Sequence, residues 1–143
     1  MPLPRSSQPL SDAQQERYAR HLLLDPLGGA GQERLLASAA FLDLPASAAP
    51  AARWCARYLA ASGVGALYLR GPWAEAAAAE CRDLGPDTTV VVGGPAGPAL
   101  RVALDGPLIV PAPGTAAQGA EVALRALRWL AGLGESPLAP EWP

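Results

Sequence analysis

The side chains of this sequence whose types could carry catalytic chemistry are few and scattered. The run RYAR at positions 17–20 holds two arginines, Arg17 and Arg20. A planar guanidinium can meet a phosphate group with paired hydrogen bonds and stabilise its charge during transfer. Arg20 is the candidate for such a role, against the alternative that it is a solvated helix residue. We expect Arg17 at the surface or in a salt bridge, and Tyr18 in the core.

The remaining candidates form no catalytic group in the sequence. His21 belongs to no Ser-His or Cys-His motif, and no motif places a basic residue to activate the thiols of Cys55 and Cys81. We therefore expect both cysteines to be buried packing residues. A single histidine and two isolated cysteines cannot supply a structural zinc site. The run GGPAG at positions 93–97 lacks a Lys-Ser or Lys-Thr pair and a helix start, so we predict a plain loop there.

The composition is that of one globular domain. The chain has 143 residues, enough for one core, and half of them are hydrophobic while 17% are charged. We assign positions 1–10 to a flexible leader, 11–135 to a single α/β domain and 136–143 to an irregular tail. The net charge of -2 and the scattered basic residues argue against nucleic acid as a partner, because binding phosphates needs a basic patch.

The sequence contains no segment that predicts a membrane location. No apolar run approaches the roughly 20 residues that a spanning helix needs. The first residues, MPLPR, lack the basic start and the apolar run of a signal peptide. We therefore expect a cytoplasmic protein with no membrane partner and with reduced thiols at its two cysteines.

Helix and strand signals alternate along the chain. Ser11 and Gln14 fit a capping box for a helix over 12–24, and Ser47 is the candidate N-cap of a helix that continues to 62. Further helices are predicted at 31–37, 73–84 and 115–131, and strands at 41–44, 66–69 and 88–92. The pair Asp105-Gly106 favours a hairpin between 101–104 and 107–110. This order predicts an α/β fold with a mostly parallel sheet flanked by helices, and a C-terminal hairpin and helix.

Several stretches form a recognisable set of motifs. They are LSD at 10–12, RYARHLLL at 17–24, GQERL at 31–35 and YLAASGVG at 58–65, with a weaker stretch at 118–132. In wording and spacing they resemble the ThiF/MoeB/HesA family of adenylyltransferases, which are relatives of ubiquitin-activating enzymes. The resemblance implies a reduced Rossmann-like fold.

The nucleotide-binding motifs of that family are missing here. Its Gly-x-Gly-x-x-Gly turn admits phosphates to a helix N-terminus, but positions 45–50 read PASAAP and positions 38–62 hold no glycine. Arg70 stands where the family has a ribose-binding Asp, and Gly93-Gly94 where it has a magnesium-binding Asp. The segment with the family's catalytic or conjugating cysteine is absent. We therefore expect no cofactor or metal site and no catalysis in this chain.

The resemblance also implies a subunit that works in a dimer. In the family the second arginine of the RY-x-R motif reaches the partner's ATP, so Arg20 is the candidate arginine finger in trans. On a helix Tyr18 lies about 200° from Arg20, and burying the ring turns the guanidinium outward. We expect a pseudoenzyme that forms a homo-oligomer, or a heterodimer with a catalytic ThiF-like protein. The alternatives are a homodimeric scaffold module without nucleotide chemistry and a small enzyme with a rebuilt site.

Overall fold

The described residues of the computed structural model are 9–19, 28–102 and 116–133, so the predicted tail and most of the predicted leader lie outside them. The helices are α1 (Asp12–Arg17), α2 (Gly28–Leu36), α3 (Ala49–Ala61), α4 (Ala74–Leu84) and α5 (Ala116–Leu130), with a 3-10 helix at Ala46–Ala48. The strands are β1 (Ala39–Asp43), β2 (Ala66–Arg70), β3 (Thr89–Val92) and β4 (Leu100–Arg101). In these ranges no helix is both long and apolar enough to cross a membrane.

The four strands form one parallel sheet in the order β3-β2-β1-β4. Ala39 pairs with Ala66 and Asp43 with Arg70 across β1 and β2, and Phe41 pairs with Arg101 across β1 and β4. The predicted α/β class, with a reduced Rossmann-like parallel sheet flanked by helices, is confirmed. Strand order reverses between β1 and β4, and ligands of open α/β sheets bind at the carboxyl ends of the strands at such a point.

The two faces of the sheet differ in burial because successive side chains of a strand point to opposite sides. On one face Ala40, Leu42, Leu67, Leu69 and Leu100 are fully buried. They form one core cluster with residues of α3, α4 and α5, among them Cys55, Leu59, Ala77, Cys81, Val122 and Leu130.

The opposite face of the sheet is more polar at the carboxyl ends of its strands. It carries Phe41 and the charged residues Asp43, Arg70 and Arg101, and Val91 at the β3 edge is 37% exposed. Parallel sheets are usually covered by helices on both faces and then have apolar strands on both sides. Here Ala39, Phe41 and Ala66 are buried on the second face, and the charged side chains follow at the carboxyl ends of the strands.

Residues 93–99 alone connect β3 to β4, which lie at opposite edges of the sheet. A crossover between parallel strands normally takes a dozen or more residues and contains a helix. The connection here contains no helix, and Gly94 to Pro98 are exposed. The 93–99 connection therefore brings no helix to either face of the sheet.

Two local predictions about helix starts have different outcomes. The capping box is confirmed, since Gln14 N donates to Ser11 Oγ and Ser11 N to Gln14 Oε1. The N-cap assigned to Ser47 is wrong. Pro45 leads into the 3-10 helix that contains Ser47, and Ala48 becomes the N-cap of α3 with no side-chain hydrogen bond.

In the C-terminal part of the chain the predicted helix is confirmed, whereas the predicted hairpin stays a prediction. The last helix, predicted at 115–131, is α5. The first arm of the predicted hairpin is a short strand, β4, and it pairs in parallel with β1. The Asp105-Gly106 turn and the second arm lie outside the described residues.

Candidate functional site

Arg20 and His21 lie outside the described residues, but the start of their motif does not. Arg17 and Tyr18 both meet Asp87, in the turn between α4 and β3. The Tyr18 hydroxyl donates a hydrogen bond of 2.8 Å to Asp87 Oδ2, and Arg17 forms an ion pair with the same oxygen. Gln14 Nε2 donates to Asp87 Oδ1 over 3.4 Å. We call these four residues the Asp87 clasp.

The Asp87 clasp holds α1 against the α4–β3 turn and is not arranged for acid-base catalysis. Burial raises the pKa of Tyr18, and its hydrogen bond to Asp87 raises this pKa further. Burial by itself would raise the pKa of Asp87, but hydrogen bonds from Tyr18, Arg17 and Gln14 together outweigh it and lower that pKa. At neutral pH the carboxylate is therefore charged and the phenol keeps its proton. The predictions for Arg17, a salt bridge, and for Tyr18, burial, are confirmed, since the Tyr18 side chain is only 2% exposed.

The turn that follows β1 is built from proline and alanine. Pro50 lies in the first turn of α3 and has no N–H, and the N–H of Ala48 already donates to the Pro45 carbonyl over 3.0 Å. Beside the turn, the buried indole of Trp73 donates from Nε1 to the Leu44 carbonyl over 2.8 Å. A phosphate loop presents glycine backbone and free N–H groups at this place. This turn has no glycine, and an indole packs against its start.

A second group of side chains lies at the carboxyl ends of three neighbouring strands. Arg70 Nη2 at the end of β2 donates to Asp43 Oδ2 at the end of β1 over 2.7 Å. Arg101 on β4 approaches the same oxygen from the other side, at 3.8 Å. Both guanidinium groups lie over the ring of Phe41, 5.1 Å and 5.9 Å from its centroid. We call these four residues the Asp43 cluster.

The Asp43 cluster carries a net charge of one positive unit, from two guanidinium groups and one carboxylate. The hydrogen bond from Arg70 lowers the pKa of Asp43, and the same bond raises the pKa of Arg70. The side chains of Arg70 and Arg101 are 56% and 60% exposed, whereas that of Asp43 is 28% exposed. The carboxylate of Asp43 is thus mostly sheltered, while the side chains of both arginines are more than half exposed.

Sequence reasoning did not assemble this cluster. Asp43 and Arg70 are 27 positions apart, and only the parallel register of β1 and β2 sets them side by side. The available signal was the position of charged residues at the ends of two predicted strands, Asp43 in the first and Arg70 directly after the second. The register that adds Arg101 depends on the strand order, which local patterns do not contain.

The predicted roles of the two cysteines agree with their positions. Cys55 and Cys81 are free thiols in the core, and both are fully buried. Burial raises the pKa of Cys55 to about 12 and the pKa of Cys81 to about 11. Protonated, inaccessible thiols are poor nucleophiles and poor metal ligands. Among the described residues, no group of three or more His, Cys, Asp or Glu side chains is arranged to hold a metal ion.

Comparisons with known proteins bear on the fold. No protein-family model matches the chain, and no curated protein sequence gives a significant match. Among solved structures, the chain is similar to the crystal structure of selenomethionine PaaA, with a TM-score of 0.67 and 15% sequence identity. That alignment covers 94% of this chain and 71% of PaaA. At this level of identity the likeness concerns the α/β fold alone.

Proposed function

We propose that this chain is a non-catalytic subunit that pairs with an active ThiF-like adenylyltransferase in a ubiquitin-like, sulfur-carrier or peptide-modifying pathway in the cytoplasm. The observation that supports it most is the turn after β1. In a Rossmann-like fold this turn is where phosphates meet the backbone. Pro45, Pro50 and the indole of Trp73 make it unsuited to that contact. A chain with the fold but without the phosphate site is what a pseudoenzyme requires.

The Asp87 clasp fixes the position of the N-terminal motif relative to the rest of the fold. Arg17 and Tyr18 fasten the end of α1 to the α4–β3 turn, so the chain leaves this anchor two residues before Arg20. An arginine that acts on a partner must be presented from a fixed point, because misplacement of a catalytic group by about 1 Å can cost 10²-fold in rate. The clasp supports the proposal by supplying such a point.

A pairing subunit also needs a contact surface, and α3 provides a suitable one. Trp54 and Tyr58 are 36% and 43% exposed, and their ring centroids are 5.7 Å apart. The Arg57 guanidinium lies 4.4 Å from the centroid of the Trp54 ring. Trp, Tyr and Arg are the residues most enriched at the energetic centres of protein interfaces. We call these three residues the Trp54 surface.

The test of the proposal is pyrophosphate release by this chain reconstituted with an active ThiF-like enzyme. Replacing Arg20 by Ala should lower the rate of adenylate formation, on the order of 10³-fold if it acts as an arginine finger. Arg20→Lys should restore little, because an ammonium does not reproduce the planar fork. The matched control is Arg128→Ala, which removes an exposed arginine from α5. Equal rates of adenylate formation for Arg20→Ala and the control would show that Arg20 does not act on the partner's active site.

A homodimeric scaffold without nucleotide chemistry is the second candidate, and the Trp54 surface also favours it. The two functions predict different oligomeric states for the isolated chain. Sedimentation velocity at tens of micromolar should give a dimer or larger species for a scaffold, and the double variant Trp54→Ala, Tyr58→Ala should shift it towards monomer. A monomer that becomes a dimer only with a ThiF-like protein would favour the pseudoenzyme.

A further inference from the structure

We propose that Arg70 and Arg101 form a binding site for a carboxylate group at the carboxyl edge of the sheet, with Asp43 as a built-in competitor for the same donors. This site is separate from the proposed role as a subunit of an adenylyltransferase, and the inference does not depend on that role. It lies at the ends of β2, β1 and β4, where β1 and β4 flank the point at which strand order reverses. Open α/β sheets bind ligands at this place.

The two arginines keep hydrogen-bond donors that Asp43 does not use. A guanidinium has five N–H donors, and a carboxylate can accept two of them side by side. Arg70 gives Asp43 one hydrogen bond, of 2.7 Å. Arg101 is 3.8 Å from the same oxygen, which is an ion pair without a hydrogen bond. Among the described residues, none accepts a hydrogen bond from the Arg101 guanidinium, whose side chain is 60% exposed.

The two guanidinium groups also lie beside one buried aromatic ring. They are 5.1 Å and 5.9 Å from the centroid of Phe41, whose own side chain is only 7% exposed. A cation that is attracted to the face of a ring loses less freedom when an anion binds.

The charge and surroundings of the Asp43 cluster favour a carboxylate over a phosphate. The cluster has a net charge of one positive unit, which matches a monoanion. A phosphate dianion would leave an unbalanced negative charge close to Asp43. Phosphate sites also recruit backbone N–H groups at glycine-rich turns or helix starts. The adjoining turn after β1 contains Pro45 and Pro50 and no glycine, so that part of a phosphate site is missing.

The experiment titrates the isolated, isotope-labelled chain and follows the Nε–Hε resonances of Arg70 and Arg101. The probes are acetate, as a free acid, and N-acetyl-dialanine, as a polypeptide carboxyl terminus, with its C-terminal amide and inorganic phosphate as comparisons. Saturable shifts with acetate or the free peptide, and none with the amide, are expected. The stronger of the two carboxylate probes identifies the source of the ligand. Absence of saturation, or equal binding of phosphate, overturns the proposal.

Three variants make the test specific. Arg101→Gln should weaken carboxylate binding about threefold or more, the size expected for one exposed charged contact. Asp43→Asn should strengthen it, because the internal competitor is lost and the site gains a unit of positive charge. If these ion pairs only held the strands together, Arg101→Gln and Asp43→Asn would not change the carboxylate affinity in opposite directions.

Arg53→Gln is the control for these variants, since Arg53 is also paired with a carboxylate, that of Glu80, but lies on α3. It should leave the affinity unchanged. Weaker binding by Asp43→Asn, or an effect of Arg53→Gln as large as that of Arg101→Gln, counts against the site. Because these readouts use the isolated chain, they are independent of the pyrophosphate assay with a partner enzyme.

Discussion

Tyr18 connects the N-terminal motif to the fold through a single hydroxyl group. Its ring lies against Gly63, whose φ of 88° and lack of a Cβ allow the aromatic ring to approach. Its hydroxyl donates to Asp87, where Arg17 also binds. Two of the residues that resemble a family motif therefore have a packing role in this chain. The proposed action on a partner enzyme therefore concerns Arg20 and neither of these two residues.

The lowered pKa of Asp87 makes the stability of the clasp depend on pH. A carboxylate whose pKa is lower in the folded state contributes stability that is fully present above its unfolded pKa of about 3.9. This contribution is lost as the pH falls through the folded pKa. Asp87→Asn should thus cost about 1–2 kcal/mol at neutral pH, and the difference from wild type should shrink below about pH 4.

Urea unfolding at several pH values measures this effect. Asp83→Asn, which removes an exposed carboxylate from the same helix–strand region, is the control and should change little at any pH. A cost for Asp87→Asn that stays constant from pH 7 to pH 3 would contradict a charged clasp.

The thiols of Cys55 and Cys81 should be unreactive in the folded protein. Both lie in the core, and burial raises both pKa values, to about 12 and about 11. The thiolate is the reactive form, so iodoacetamide at pH 8 should label neither residue until the chain opens. Mass spectrometry before and after addition of denaturant measures the labelling. Rapid native labelling of either cysteine would indicate an accessible thiol and reopen its assignment as a packing residue.

At the scale of elements, the contact between α3 and α5 depends on one glycine. A Cβ at Gly119 would overlap the backbone carbonyl oxygen of Ala51, so the two helices could not keep their distance. Around this contact the core of both helices is rich in alanine, including Ala52, Ala56 and Ala126. Small side chains let the helix axes come close, which buries the apolar side of α5 against α3 rather than against the sheet alone.

Gly119→Ala should therefore destabilise the protein. Overpacking of this kind costs about 1–3 kcal/mol, partly offset by the better helix propensity of alanine. The matched control is Gly97→Ala, since a Cβ at Gly97 meets nothing within 4 Å. Urea unfolding of the two variants should give a clear loss of stability for the first and little change for the second. Equal stabilities would mean that the helices can move apart at little cost.

At the scale of the whole molecule, one face of the sheet packs against helices, and the other carries charged side chains at the carboxyl ends of its strands. The short connection 93–99 brings no helix to the second face, where Phe41, Arg70 and Arg101 are found. The turn after β1 is closed by proline and by Trp73. The turn at which a Rossmann-like protein binds phosphate is thus altered, although the four strands still form a parallel sheet.

These alterations predict that the isolated chain has no measurable affinity for Mg-ATP. Isothermal titration at millimolar ATP should give only the heat of dilution, whereas an active ThiF-like enzyme under the same conditions should give a single-site isotherm. The physical reason is that positions 38–62 hold no glycine and that the part of the chain the structure describes has no acidic group arranged to hold magnesium. A single-site isotherm for this chain would instead favour the third interpretation, an enzyme with a rebuilt site.

The sequence by itself determined the alternation of helices and strands, the capping box at Ser11 and the burial of Tyr18 and both cysteines. These features follow from local patterns, because hydrophobic periodicity and cap residues act over a few positions. The absence of a glycine turn was equally visible, since it is a property of consecutive residues. The error at Ser47 arose where two short elements adjoin and a 3-10 helix competes with the start of α3.

Only the tertiary structure decided which distant residues meet. The strand order β3-β2-β1-β4 places Arg70 and Arg101 on the two sides of Asp43, and the docking of α1 brings Arg17 and Tyr18 to Asp87. Such contacts depend on register and on the packing of helices, which are set by the burial of a whole face rather than by any short run of sequence. The contact between Trp73 and the residue after β1 is another that only the tertiary structure shows. The Trp73 indole donates to the Leu44 carbonyl, which is 29 positions away in the sequence.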